Sequence, residues 1–173
     1  MSKTEKEKKI EYVPFVGTVE AYLSRSPWDF YSWGHIALGI ASFSILSLLI
    51  TVTEVLIGPS IFDWWMILLF TIAVAIIWEI LENTVILWWG WRPRNRRDSF
   101  VNALWDIIFV TIGGASTWLI KWIVMDLNSI LGRYFYISAI LFFVIIMIAY
   151  FLGFYFTSEK TKQARRARKK VIS

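Results

Sequence analysis

Residues 64–91 read WWMILLFTIAVAIIWEILENTVILWWGW, and only Glu79 and Glu82 interrupt this otherwise uncharged run. A membrane-spanning helix needs roughly 20 apolar residues, so the run is long enough to span. Glu79, Glu82 and Asn83 are spaced i, i+3, i+4, which places them on one helix face. A carboxylate at membrane depth is costly and usually faces a partner or a cavity. The stretch therefore predicts a membrane span with a polar face.

Three further runs have the same apolar character. Residues 30–53 and 134–158 contain no Asp, Glu, Lys or Arg, and residues 99–120 contain only Asp106. Of the 173 residues, 57% are hydrophobic, against about 45–50% in an average soluble domain. A soluble core of four such helices would leave almost no polar surface. We therefore predict an all-α integral membrane protein with four transmembrane helices.

The basic residues indicate an orientation. Of the 18 Lys and Arg residues, 16 lie in the N-terminal segment, in the connection between spans two and three, or in the C-terminal tail. In a four-span protein these segments share one side, which the positive-inside rule assigns to the cytoplasm. We predict a protein of the cytoplasmic (inner) membrane, N-in and C-in. Its segments are a cytoplasmic N-terminal segment (1–25), a four-helix transmembrane domain (26–158) and a basic cytoplasmic tail (159–173).

Local patterns predict helix starts and close helix contacts. Residues 26–29 read SPWD, with Ser as N-cap and Pro at the first helical position, so helix one is predicted to begin there. Asp98 or Ser99 can cap the third helix. Gly39 and Gly113 extend the polar faces of spans one and three, and small residues allow close approach of helices. The fourth span has no charged residue within it and is predicted to be scaffold.

The polar faces of the spans are predicted to meet near the cytoplasmic side. Span two descends to the cytoplasm and span three climbs from it, so residues at similar depth can lie opposite each other. The predicted polar cluster consists of His35, Glu79, Glu82, Asn83, Asp98, Asn102 and Asp106. Four arginines are predicted at its rim: Arg92, Arg94, Arg96 and Arg97.

Three functions are compatible with this cluster. The first is binding or processing of a lipid-linked or other anionic amphiphile, because arginines grip phosphate and His and carboxylates transfer protons. Its catalytic candidates are Glu82, Asp106 and His35, and its anion-binding candidates are Arg92, Arg94, Arg96, Arg97, Asn83 and Asn102. The second is a divalent metal site, an oxygen-rich set with one imidazole. Its candidate ligands are Glu79, Glu82, Asp106 and His35. The third is a non-catalytic subunit or assembly factor of a larger membrane complex.

Other classes of function find no support in the sequence. The chain contains no Cys, which excludes disulfides, thiolate metal sites and Cys nucleophiles. It contains no GxGxxG, P-loop, GxSxG or HExxH pattern. The expected partners are membrane lipids, including anionic lipid at the basic tail, and other membrane subunits, but not nucleic acid. The polar cluster can equally serve only to lock the helices together.

Three short segments carry most of the polar cluster. Residues 29–39 read DFYSWGHIALG, residues 78–84 read WEILENT, and residues 98–106 read DSFVNALWD. In this order they resemble DWYTLSHIIHG, WEIAENT and DSIVNSVSD of a family of small bacterial inner-membrane proteins of unknown function, and more distantly the VanZ-like membrane proteins. The resemblance covers about residues 28–114, with Leu38 where the family has a second histidine. It implies that the cluster is a family feature, and it implies no reaction.

Overall fold

The protein folds into four long helices in a computed structural model that describes residues 13–18, 22–90, 97–126 and 134–172. Within these residues the only β-structure is an isolated bridge between Val16 and Trp28. The helices are α1 (Tyr31–Leu56), α2 (Trp64–Leu81), α3 (Phe100–Lys121) and α4 (Phe135–Ile172), and π-helical segments extend α2 (Glu82–Ile86) and α3 (Trp122–Asp126). All four are long and apolar enough to cross a membrane. The predicted all-α class is therefore confirmed, and the four predicted spans correspond to four helices that are long and apolar enough to cross a membrane.

Two helix ends follow their sequence signals. Ser99 is the N-cap of α3, and its hydroxyl accepts a hydrogen bond from the Asn102 amide at 3.1 Å. α1 ends just before Gly58, whose φ of +109° is a conformation that glycine adopts without strain after a helix. α4 continues as one helix to Ile172, so the predicted boundary between residues 158 and 159 lies inside a helix.

The predicted start of α1 at residues 26–29 is wrong, because α1 begins at Tyr31. Trp28 is held in extended backbone instead. The Gly17 amide donates to the Trp28 carbonyl at 2.7 Å, and the Trp28 amide donates to the Phe15 carbonyl at 2.9 Å. Since the SPWD segment pairs with the preceding chain, its residues cannot form the first helical turn.

α1 is the central helix of the bundle. It packs against α2, α3 and α4, whereas α2 and α4 meet mainly through the rings of Trp64 and Phe135, whose centroids lie 5.8 Å apart. The α1–α3 contact is the tightest, since a Cβ atom on Gly39 would lie 2.0 Å from the Val110 carbonyl oxygen. A Cβ atom on Gly113 would likewise lie 2.2 Å from the Ile36 carbonyl oxygen. The predicted close approach at the two glycines is confirmed.

The helix contacts also establish the directions of the helices. Trp64 at the start of α2 stacks on Phe43, and Tyr136 near the start of α4 accepts a hydrogen bond from Ser47 in the second half of α1. α2 and α4 are therefore antiparallel to α1, and α3 is parallel to it. The start of α1, the end of α2 and the start of α3 consequently lie at one end of the bundle, which we call the polar end.

Apolar side chains fill the bundle on both sides of the α1–α3 crossing. The cluster nearer the polar end contains Ile36, Ala37, Ile40, Phe109 and Ile146. The cluster at the opposite end contains Phe43, Ile50, Ile67 and Phe135. Large apolar side chains also cover the outside of all four helices, as expected of helices that face lipid.

Candidate functional site

A buried histidine lies between two carboxylates at the polar end. His35 on α1 places Nδ1 3.8 Å from Oε1 of Glu79 on α2, and Nε2 3.6 Å from Oδ2 of Asp106 on α3. The three side chains are 9%, 7% and 3% exposed. The structure therefore brings together one residue of the predicted polar cluster from each of α1, α2 and α3.

Two buried oxygen atoms beside this histidine lack a hydrogen-bond donor. The Asn102 side-chain amide donates to Oδ2 of Asp106, one helical turn away. Oδ1 of Asp106 and Oδ1 of Asn102 are both buried, and neither accepts a hydrogen bond from the residues that the structure describes. A buried acceptor left unsatisfied costs about 1–3 kcal/mol. These two oxygens could therefore bind a cation, or accept a hydrogen bond from a donor that is not among the described residues.

Asn83 connects the end of α2 to the start of α3. Its side-chain nitrogen lies within donating distance of the Glu79 carbonyl (3.0 Å), Oε2 of Glu79 (3.3 Å) and Oδ2 of Asp98 (3.1 Å). Its side-chain oxygen accepts from the Asp98 amide at 2.9 Å. Asn83 therefore holds the Glu79 and Asp98 side chains together at the edge of the site.

Asp29 belongs to the site, although the sequence analysis did not include it. Its carboxylate accepts hydrogen bonds from the amides of Ser24 (3.2 Å) and Tyr31 (2.8 Å). Burial raises the pKa of Asp29 to about 6, against the opposing effect of these two bonds. Two sequence signals existed: a carboxylate directly before an uncharged run, which the apparent helix-start pattern accounted for, and the position of Asp29 as the first residue of the segment DFYSWGHIALG.

The N-terminal segment closes the polar end over these groups. The Ser24 carbonyl accepts from the Ser99 amide at 3.0 Å, and the Arg25 carbonyl accepts from the Ser99 hydroxyl at 3.3 Å. Ser24 has a φ of +63°, a left-handed conformation that is uncommon for a residue with a side chain. The chain before α1 is therefore tied to the start of α3.

A small polar cavity lies beneath this segment. Its volume is about 10 Å³, which is room for one water molecule or ion. It is lined by Ser24, Asp29, Tyr31, His35, Glu82, Asp98, Asn102 and Asp106. We call this space the polar cavity.

A larger apolar groove begins where the polar cavity ends. It lies between α1, α2 and α4 and has a volume of about 520 Å³. It is lined by Tyr31, Gly34, His35, Ala37, Leu38, Ala41, Trp78, Glu82, Phe143, Met147 and Tyr150. A mostly apolar hollow of about 200 Å³ adjoins it along α1 and α4, and Ala41 and Phe143 line both spaces. We call these two adjoining spaces the apolar groove.

Most predicted site residues converge, and the arginines are the exception. Five of the seven predicted cluster residues line the polar cavity, and the other two, Glu79 and Asn83, contact cluster members. Arg92, Arg94 and Arg96 lie outside the described residues. Arg97 is exposed, directly before Asp98.

Two overlapping groups of side chains have the spacing of metal ligands. His35, Glu79 and Asp106 are all buried, and one ligand atom of each lies within 4.8 Å of the others. Glu79, Glu82 and Asp98 satisfy the same distance, with Glu79 shared and the other two half-buried. The four predicted metal ligands are therefore distributed over both groups.

Comparison with protein-family models, with curated proteins and with solved structures finds no match to this chain. The function must therefore be argued from the polar cavity and the apolar groove themselves.

Proposed function

We propose that the protein binds an anionic amphiphile, such as a lipid-linked molecule, with its polar head at the polar cavity and its chain in the apolar groove. One observation carries this proposal: Tyr31, His35 and Glu82 line both spaces, so the polar cavity and the apolar groove are adjacent. A ligand that occupies both must be apolar along most of its length and polar at one end.

The size and lining of the groove fit this class of ligand. Its main part, about 520 Å³, lies within the range of roughly 300–1,000 Å³ for small-molecule sites. Ala41 and Phe143 are the kind of side chains that contact hydrocarbon, whereas His35 and Glu82 at its polar end can hydrogen-bond to a head group. α2 and α4 meet at the end opposite the polar end, where Trp64 packs against Phe135, so an amphiphile can enter between them nearer the polar end.

The anionic charge of the head follows from the arginines at the polar end. Four arginines occur within six residues between α2 and α3, and guanidinium groups bind phosphate or carboxylate through paired hydrogen bonds. Arg97 is exposed next to Asp98, which lines the polar cavity. We therefore propose that this arginine contributes to binding of the head group.

Filling the groove should abolish capture of the amphiphile. Ala41 lines both parts of the apolar groove, so Ala41→Phe places a ring where the chain would lie. We expect the amount of anionic lipid that co-purifies per protein to fall by about tenfold, equivalent to ~1.4 kcal/mol of binding free energy. Quantitative lipid mass spectrometry of the purified protein measures this ratio.

Ala115→Phe is the matched control, because Ala115 is an exposed alanine on α3. This variant should retain the lipid of the wild type. Equal lipid content in wild type, Ala41→Phe and Ala115→Phe would show that the lipid is only general membrane lipid, and the proposal would be wrong.

We further propose that the polar end faces the cytoplasm and that the membrane is the cytoplasmic one. The distribution of Lys and Arg supports this orientation. The start of α1, the end of α2 and the start of α3 lie at the polar end. The basic segments before α1 and between α2 and α3 are next to these helix ends in the sequence. The absence of Cys makes a direct test possible. In intact cells a membrane-impermeant maleimide should label Ile61→Cys, between α1 and α2, but should label Gln163→Cys only after lysis. The reverse pattern would contradict the orientation.

A further inference from the structure

We propose that His35, Glu79, Asp106 and Asn102 hold one divalent transition-metal cation of the Mn²⁺ or Zn²⁺ class at the edge of the polar cavity, which all of these residues except Glu79 line. The proposal deepens the proposed function, since the cation would be the contact for the anionic head. Binding of the cation itself requires only the protein.

The spacing of the ligand atoms fits one ion. Ligands at about 2.1 Å from an octahedral ion lie about 3.0 Å from each other when adjacent and about 4.2 Å when opposite. Nε2 of His35 lies 3.6 Å from Oδ2 of Asp106, and the ligand atoms of His35, Glu79 and Asp106 lie within 4.8 Å of one another. Glu79 faces Nδ1 of His35 whereas Asp106 faces Nε2. A single ion bound to Nε2 therefore requires the Glu79 side chain to rotate toward Asp106.

The independent observation is the pair of acceptor oxygens without a donor. Asn102 and Asp106 are 3% and 2% exposed, and each has a buried Oδ1 that accepts no hydrogen bond from any described residue. Both residues line the polar cavity, which has room for one ion. Because a cation satisfies several oxygen acceptors at once, it accounts for both atoms.

The second group of carboxylates is a weaker candidate. Glu79, Glu82 and Asp98 include no histidine, and Glu82 and Asp98 are only half-buried. The Asn83 side chain is within hydrogen-bond distance of carboxylate oxygens of both Glu79 and Asp98. These oxygens are therefore already supplied with a protein donor, unlike Oδ1 of Asp106.

The donors indicate the class of ion. One imidazole nitrogen is a suitable ligand for a transition metal. Two carboxylates and one amide oxygen are hard ligands, in contrast to the soft sulfur ligands that select copper. Mn²⁺ and Zn²⁺ both accept such a mixture. With four protein ligands, a six-coordinate ion such as Mn²⁺ keeps two positions that an anionic head group can occupy, whereas a four-coordinate Zn²⁺ would have to exchange one protein ligand for the head group.

Elemental analysis and Mn²⁺ binding test the proposal on the full chain. Protein purified without chelator should carry about one metal ion per chain, and chelator-treated protein should bind added Mn²⁺ or Zn²⁺ in a calorimetric titration. Asp106→Asn should weaken this binding by at least about 100-fold, because even outer-shell changes cost 10–100-fold. Glu54→Gln, which removes an exposed carboxylate near the far end of α1, should bind like the wild type.

Thermal unfolding of the wild type tests the proposal even if Asp106→Asn does not fold. Added Mn²⁺ should raise the thermal unfolding temperature of chelator-treated wild type and of Glu54→Gln, but not that of Asp106→Asn. Absence of both metal content and Mn²⁺ or Zn²⁺ binding in folded wild type would overturn the proposal. Equal binding in wild type and Asp106→Asn would also overturn it.

The test separates the two proposals. Ala41→Phe leaves all four cation ligands in place, so it should lose the amphiphile and bind Mn²⁺ normally. If the wild type retains the amphiphile but binds no metal, only the cation proposal fails. If it binds metal and Ala41→Phe retains the lipid, only the proposed function fails.

Discussion

Gly39→Ala is expected to destabilise the bundle by about 3 kcal/mol, at the upper end of the usual cost of overpacking. The new methyl group would lie 2.0 Å from the Val110 carbonyl oxygen and 2.8 Å from its carbonyl carbon. Both atoms are backbone, so no side chain can rotate away, and α1 and α3 must separate. Separation of these helices would also move His35 away from Asp106. The free energy of unfolding, measured by denaturant titration in detergent micelles, should report the loss.

Gly34→Ala is the matched control on the same helix. Its new Cβ atom would meet only ring carbons of Tyr150, at an ordinary contact distance of 3.4 Å. Alanine is also the better helix former by roughly 1 kcal/mol, so this variant should be as stable as the wild type or slightly more so. If Gly39→Ala proved equally stable, the backbone contact between α1 and α3 would be incorrect.

Asn83→Ala has the second-largest expected effect, a loss of about 2–3 kcal/mol in the free energy of unfolding. The change removes the donor to Glu79 and Asp98 and the acceptor for the Asp98 amide. Removing one partner leaves the others partly buried without their hydrogen bonds, at about 1–3 kcal/mol for the set. Because Asn83 joins the end of α2 to the start of α3, limited proteolysis between residues 90 and 98 should also become faster.

Thr84→Ala provides the comparison at the adjacent position. The Thr84 hydroxyl donates only to the Ile80 carbonyl of its own helix, and it is exposed. Its removal should change stability by less than about 0.5 kcal/mol, as for most surface substitutions. A loss at Asn83→Ala no larger than that at Thr84→Ala would contradict the assigned role of Asn83.

The four helices and much of the polar cluster could be predicted because their signals are local. Uncharged runs of sufficient length identify a span, and the spacing of Asp98, Asn102 and Asp106 identifies one face of a helix. Gly39 and Gly113 indicated the close crossing of α1 and α3, because only small residues allow two backbones to approach. These inferences require no knowledge of how the helices are arranged.

The position of Asp29 and the apolar groove could not be predicted, for a different reason. Asp29 reaches the site because the chain before α1 pairs with residues 15–17, which is a contact between segments without any periodic pattern. The groove exists because α2 and α4 both pack on α1 and leave a gap between them. The apolar side chains around that gap read in the sequence like any other lipid-facing residues.

Different sets of helices line the polar cavity and the apolar groove. The polar cavity is lined by α1, the π-helical extension of α2, α3 and the chain before α1 and α3, and no described side chain of α4 lines it. α4 instead provides one wall of the apolar groove through Phe143, Met147 and Tyr150. Under the proposed function, mutations in α4 would therefore alter which hydrocarbon chain fits and would leave the groups at the polar cavity unchanged. Selectivity for the tail of the proposed amphiphile could then change independently of selectivity for its head.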